Sequence, residues 1–134
     1  MTVFDDGNGA ALYAGGDFIT AGGVQTNYIA KWDGAQWSAI GGGMNDVVHQ
    51  LIVFDDGSGT ALYAGGRFTR AGDVEASFIA RWDGTQWSAL DSGTNGPVLA
   101  MAVFDDGSGP ALHAGGFFNT AGGEPVVRTA QYGP

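Results

Sequence analysis

The sequence has 134 residues, of which 14 are acidic and only five are basic, so its formal net charge is −9 at pH 7. This balance excludes a nucleic-acid partner, since contact with a phosphate backbone requires a basic face that displaces counterions. There is no cysteine, which excludes a disulfide framework, a thiol nucleophile and any cysteine-ligated metal. No apolar run approaches the ~18 residues of a membrane-spanning helix, so no membrane span is expected.

The sequence is dominated by a repeat. The segment Val-Phe-Asp-Asp-Gly at 3–7 occurs again at 53–57 and at 103–107, which gives a period of 50 residues. The copies diverge towards the C-terminus, where Arg-Thr-Ala-Gln-Tyr-Gly at 128–133 replaces Phe-Ile-Ala-Arg-Trp-Asp at 78–83. Self-similarity at a fixed period of this length indicates one supersecondary unit per repeat.

Each full repeat is predicted to contain four β-strands. In chain order, an apolar strand such as 97–104 ends in an Asp-Asp-Gly turn, and a second strand, 61–64, leads into a double glycine. A longer loop precedes a third strand at 78–82, which meets a fourth at 86–90 across an Asp-Gly turn. No segment shows helical periodicity. Repeated units of four antiparallel strands are typical of β-propeller blades, so we predict an all-β fold of such blades.

We predict a single partial propeller domain over residues 1–134. The repeat similarity fades before a fourth strand is reached in the third copy, so the third blade is predicted to be truncated, with its outer strand missing. The predicted blades cover residues of about 3–46, 47–96 and 97–134.

Two tryptophan pairs occupy equivalent positions, Trp32 with Trp37 and Trp82 with Trp87. The four-residue turn within each pair places its members directly opposite each other on one face of a hairpin. Cross-strand aromatic pairs of this kind add about 0.2–1 kcal/mol of stability. We expect these pairs to pack one blade against the next, because small alanines flank them. The alternative is that exposed tryptophans stack on sugar rings.

A double glycine ends the second strand of every copy. Glycine at such a point allows a neighbouring backbone to approach closely or allows a positive φ. A phosphate-binding loop would need a following helix and usually a lysine, and neither is predicted here. We therefore assign a structural role to Gly15, Gly16, Gly65, Gly66, Gly115 and Gly116.

These motifs resemble the kelch family of β-propellers, in which a strand ending in a double glycine is followed by an aromatic residue, a short turn and a tryptophan. The matching residues are 62–66 with Trp82 and Trp87, and 12–16 with their own tryptophan pair. The sequence departs from the family by having tryptophan where tyrosine is usual and by its Asp-Asp-Gly turn. It is most similar to kelch-like repeats of bacterial surface or secreted proteins. The resemblance implies a non-catalytic recognition or scaffold module and favours an extracellular or cell-surface location.

More than half of the acidic residues fall in the first-to-second and third-to-fourth turns. Because strands alternate in direction, both turns are predicted to lie at the same end of a blade. We favour solvated turns, in which aspartates accept hydrogen bonds from nearby backbone N–H groups. The alternative is calcium, which takes about 6–8 oxygen ligands; no other cofactor is expected. The calcium candidates are Asp5, Asp6, Asp55, Asp56, Asp105 and Asp106.

The loops at the opposite end differ more between copies. They cover 17–27, 67–77 and 117–127. Loops on a rigid frame are where binding usually resides. The candidate binding residues are Asn27, Arg67, Arg70 and Asp73.

An enzymatic function is not expected. The two histidines fall at unrelated positions in the repeat, and the repeat suggests no Ser–His–Asp arrangement. We therefore predict a non-enzymatic binding or scaffold module that recognises an unknown protein or glycan. The alternatives are a lectin-like carbohydrate-binding ring, a calcium-stabilised adhesion module, and a fragment of a larger repeat protein.

Ring closure is the remaining prediction. A propeller is a closed annulus of roughly 4–8 blades, since each twisted sheet has to bury both faces. Fewer than three complete blades would leave large apolar faces in water. We therefore expect the chain to complete its ring by self-association, most simply as six blades from two chains.

Overall fold

The structure is a computed structural model that describes residues 1–7, 9–55, 59–90, 93–105, 107, 110–118, 120–121, 124–125 and 129–132. Every regular element in this part of the chain is a β-strand, which confirms the predicted all-β class. The strands are β1 (Thr2–Asp5), β2 (Ala10–Gly15), β3 (Thr20–Ala21), β4 (Val24–Gln25), β5 (Ile29–Trp32), β6 (Trp37–Ala39), β7 (Val48–Asp55), β8 (Thr60–Gly66), β9 (Arg70–Ala71), β10 (Val74–Glu75), β11 (Ile79–Trp82), β12 (Trp87–Ala89), β13 (Val98–Asp105), β14 (Pro110–Gly116), β15 (Thr120–Ala121), β16 (Glu124–Pro125) and β17 (Thr129–Tyr132).

The main strands form one antiparallel sheet per repeat. The first sheet has the order β1-β2-β5-β6, and the second has the equivalent order β7-β8-β11-β12. The third sheet contains β13, β14 and β17 in the described residues. The register repeats with the sequence, since Val3 lies opposite Leu12 and Val53 lies opposite Leu62.

Small hairpins occur within the segments that the sequence predicts to be long loops. They pair β3 with β4, β9 with β10 and β15 with β16. In the first repeat the connecting residues Gly22 and Gly23 both have positive φ, at 56° and 84°. Two such residues in a row are what a two-residue type I′ hairpin requires. The hairpins pack beside the fourth strands, with β4 near β6 and β10 near β12.

The third strand of the second sheet begins one residue later than predicted. Phe78 has a φ of 72° and so leaves the extended conformation, and β11 starts at Ile79. The Phe78 N–H donates to the carbonyl of Phe68 at 2.9 Å, which turns the chain into the strand. Tyr28 has a φ of 73° at the equivalent point of the first repeat.

Each sheet has two different faces, because successive side chains along a strand point to opposite sides. One side, here called the Phe–Tyr face, consists of Phe4, Ala11, Tyr13 and Ile29 in the first sheet, of Phe54, Ala61, Tyr63 and Ile79 in the second, and of Phe104, Ala111 and His113 in the third. The other side, here called the Trp face, consists of Val3, Leu12, Ala14, Trp32 and Trp37 in the first sheet, of Leu51, Val53, Leu62, Ala64, Trp82 and Trp87 in the second, and of Met101, Val103, Leu112 and Ala114 in the third.

The sheets stack in the same way twice. The Phe–Tyr face of the first sheet packs on the Trp face of the second, and together they form one buried apolar cluster. The Phe–Tyr face of the second sheet packs on the Trp face of the third and forms a separate cluster. The two interfaces use equivalent residues 50 positions apart, so the chain contains two copies of one packing arrangement.

Glycines allow this close stacking. A Cβ added to Gly15 would stand 2.5 Å from Cγ1 of Val48, and one added to Gly65 would stand 2.6 Å from Cγ1 of Val98. Real Cβ atoms do not approach other carbons so closely, so a side chain at either glycine would force the two sheets apart.

Candidate interaction surfaces

The acidic turns are organised by their own aspartates. Oδ1 of Asp5 accepts hydrogen bonds from the backbone N–H groups of Gly7 at 2.9 Å and Gly9 at 3.1 Å. Asp55 and Asp105 also accept backbone N–H bonds within their turns, from residues 59 and 107. Two calcium candidates, Asp56 and Asp106, lie outside the described residues.

The third-to-fourth turns are built in the same way. Backbone N–H donors lower the pKa of Asp33 and of Asp83, because they stabilise the ionised carboxylate. The largest contribution comes from the N–H of Gln36 for Asp33 and from the N–H of Thr85 for Asp83. In the part of the chain that the structure describes, no group of three or more histidine, aspartate or glutamate side chains is placed to hold a metal ion. The described aspartates of both kinds of turn thus accept backbone N–H bonds, the arrangement expected of solvated turns.

Asp6 connects its turn to the sheet. Its Oδ2 lies 2.6 Å from Nζ of Lys31 and accepts a longer bond from the Tyr13 hydroxyl at 3.4 Å. Burial raises the pKa of Tyr13, and the negative charge of Asp6 adds to that shift. At the equivalent place in the second sheet, Nε of Arg81 donates to the hydroxyl of Tyr63 at 3.2 Å.

The four candidate binding residues lie in the long loops, and the hydrogen bonds of the described residues bring Arg70 and Asp73 together. Asn27 has a φ of 56°, and its Nδ2 donates to the carbonyl of Gly42 at 3.3 Å. Arg70 donates to the carbonyl of Asp73 at 3.0 Å, within the β9–β10 hairpin. Arg67 is exposed, and its backbone N–H bonds to the chain that links the first two sheets. Asn27 therefore ties its loop to the linker that follows β6, and Arg70 stabilises its own hairpin.

One structural residue that the sequence interpretation missed is Asn45. Its Oδ1 accepts bonds from the N–H groups of Thr69 at 2.9 Å and Arg70 at 3.1 Å, and its Nδ2 donates to Oγ1 of Thr69. Asn95 accepts the N–H of Thr120 in the next repeat at 3.2 Å. The signal that could have revealed this role is the recurrence of asparagine at 45 and 95, one full period apart.

Replacing Asn45 with alanine is expected to lower the free energy of unfolding by about 1–2 kcal/mol, because two backbone donors lose their acceptor. Asn45→Asp keeps the acceptor oxygen and is the matched control, with a smaller expected loss. Thermal unfolding followed by circular dichroism measures both variants. Equal stability of Asn45→Ala and the unchanged protein would contradict the assigned role.

The Trp face of the first sheet is uncovered. Val3 is 62% exposed, whereas its counterpart Val53 is packed against a buried cluster. Trp32 and Trp37 are half-buried with ring centroids 5.3 Å apart, in nearly the same tilted arrangement as the buried pair in the second sheet, whose centroids are 5.1 Å apart. An apolar hollow of about 280 Å³ opens here between Met1, Ala14, Phe18, Thr20, Ala21, Gly22 and Trp37.

The Phe–Tyr face of the third sheet is uncovered as well. Phe104 is 58% exposed, although its counterparts Phe4 and Phe54 are only 3% and 5% exposed. Phe104 and His113 keep the aromatic pairing of the other sheets, with a centroid distance of 5.7 Å. The chain therefore presents one uncovered apolar face of each type, at opposite ends of the stack.

Comparisons of the chain with protein-family models, with curated proteins and with solved structures found no significant match. The described residues include no helix that is long and apolar enough to cross a membrane.

Proposed function

We propose that the chain is a non-enzymatic binding and scaffold module made of β-propeller blades, whose ring is completed by another copy of the chain. The observation that carries this proposal is the repeated stacking of equivalent sheets, which leaves one Trp face and one Phe–Tyr face uncovered. Two chains with three sheets each make a ring of six blades, within the usual range for propellers.

Burial of apolar area favours this closure. Each Å² of apolar surface removed from water contributes about 25 cal/mol, so covering a whole sheet face contributes several kcal/mol. That is comparable with the total stability of a small domain. An isolated chain would instead expose Phe104 and Val3 to water, together with part of both Trp32 and Trp37.

The likeness to kelch repeats supports the scaffold part of the proposal. The double glycines allow neighbouring sheets to approach closely, and one tryptophan pair is buried between two sheets. Propeller rings of this type present loops on a rigid frame, so a protein or glycan ligand would bind at the long-loop end, where Arg67 is exposed. An extracellular or cell-surface location follows from that likeness alone.

Light scattering coupled to size-exclusion chromatography tests the proposal. The expected mass is that of two chains, with a cooperative thermal transition whose midpoint rises with protein concentration. A folded, cooperatively melting single chain at micromolar concentration would contradict ring closure.

A second candidate function is carbohydrate binding, which the half-exposed Trp32–Trp37 pair favours. Tryptophan fluorescence under titration with soluble monosaccharides tests it. A saturable shift that disappears in Trp32→Ala would support a lectin, and an unchanged spectrum would exclude sugar stacking at this pair.

A further inference from the structure

We infer that two copies of this chain associate head to tail, with the Phe–Tyr face of one third sheet docked on the Trp face of the other copy's first sheet. The inference rests on the proposed function, and it specifies the surface and the register that self-association uses. The expected occupant of each uncovered face is therefore a second copy of this chain.

The internal interfaces supply the template. At each of them a Phe–Tyr face meets a Trp face, and no described interface joins two faces of the same kind. The uncovered faces are the missing halves of a third interface of this type. Contact between different surfaces of the two copies is heterologous, and it closes a ring when the rotation between neighbours permits.

Repeat equivalence also indicates which residues meet. Gly15 lies against Leu51, and Gly65 lies against Met101, which are equivalent positions one period apart. Gly115 stands at the same place on the uncovered Phe–Tyr face, and Met1 stands one period before Leu51 on the uncovered Trp face. The template therefore places Met1 of one copy against Gly115 of the other.

Exposure agrees with this assignment. Met1 is 84% exposed, whereas its counterparts Leu51 and Met101 are only 8% and 5% exposed. The large difference in exposure between Phe104 and its two counterparts is the matching observation on the other face. Met1 and Phe104 are thus exposed on the open surfaces, whereas their equivalents are buried where the same two faces meet.

Charge opposes association at long range. Each copy carries a net charge of −9, so two copies repel each other, while the contacting faces are apolar. Salt screens this repulsion. Association by these faces is therefore expected to strengthen as ionic strength rises, whereas a contact made of ion pairs would weaken.

Complementation between two single variants tests the geometry. Val3→Asp places a charge on the Trp face, and Phe104→Asp places one on the Phe–Tyr face; both side chains are exposed, so each variant is expected to fold. Each alone should lose the two-chain species at concentrations where the unchanged protein is paired. An equimolar mixture should recover a two-chain species, because one junction joins an intact Phe–Tyr face to an intact Trp face.

Ile19→Asp is the matched control, since Ile19 is 56% exposed and lies outside both faces. It should leave the two-chain mass unchanged. Native mass spectrometry reads out all species, and circular dichroism checks folding. If the unchanged protein pairs but Phe104→Asp pairs equally well, or the mixture stays monomeric, head-to-tail docking is wrong although self-association stands. If the unchanged protein is itself a single chain, both proposals fail.

Discussion

Gly66→Ala is expected to destabilise the fold by about 2–3 kcal/mol or more, and to lower the midpoint of thermal unfolding by roughly 10 °C. An added Cβ would overlap the carbonyl oxygen of Val47 and stand 2.9 Å from Cα of Val48. Both are backbone atoms at the start of β7, where the register shifts next to the Val48–Gly66 pair. No side-chain rotation relieves this overlap, so the strand itself has to move.

Gly16 is the matched control, because it occupies the equivalent position in the first repeat. A Cβ there would meet only the ring edge of Phe18, at 3.3 Å. The difference arises because the backbone of Val47 and Val48 lies against Gly66, whereas only the Phe18 ring lies within 4 Å of a Cβ at Gly16 among the described residues. Gly16→Ala is therefore expected to cost less than about 1 kcal/mol. Thermal unfolding of both variants checks the contrast, and equal losses would contradict the backbone explanation.

The strand pairing was accessible from the sequence because it is encoded locally. A four-residue turn leaves Trp82 directly opposite Trp87, and the structure has this register. The 50-residue period then transfers the same pairing to the first repeat. Alternation of apolar residues and turn signals therefore sufficed for the sheets, since each main strand pairs with the next main strand of the same repeat.

The small hairpins were missed for a different reason. Residues 20–25 contain two polar strand residues and two glycines in a row, so this segment lacks the apolar alternation that identifies a strand. The sequence analysis assigned a role only to the double glycines that end the second strands, and it did not interpret Gly22 and Gly23. Their positive φ values are those of a type I′ turn. The turn residues therefore determine this hairpin, and the pattern of apolar residues does not indicate it.

Contacts between repeats were the least accessible feature. Asn45 lies in a linker, and its bonds reach a hairpin 24 and 25 residues further along the chain. Nothing in the residue type or its neighbours specifies that partner. Similarly, the sequence indicated that the apolar faces of the sheets have to be buried. It did not indicate that a Phe–Tyr face packs on a Trp face, as it does at both described interfaces.

Trp87→Ala is expected to lower the free energy of unfolding by about 3–5 kcal/mol, because it empties a large buried volume between the first two sheets. Trp87 is 5% exposed, and its Nε1 donates to the carbonyl of Ile40 at 3.1 Å. The linker after Ile40 packs against the indole of Trp87, since a Cβ added to Gly41 would stand 2.9 Å from that indole. Chemical denaturation measures the loss.

Trp87→Phe and Trp82→Phe separate the hydrogen bond from the lost volume. Both tryptophans are buried in the same cluster, but Nε1 of Trp82 has no hydrogen-bond partner among the described residues. Trp87→Phe removes the bond to Ile40, whose carbonyl still accepts the N–H of Gly43 at 2.9 Å. The expected cost is that of one net hydrogen bond, about 0.5–1.5 kcal/mol, whereas removing an unpaired buried donor carries no such cost. Trp87→Phe should therefore be the less stable variant by about that amount. Equal stabilities would show that the bond to Ile40 contributes nothing to joining the two sheets.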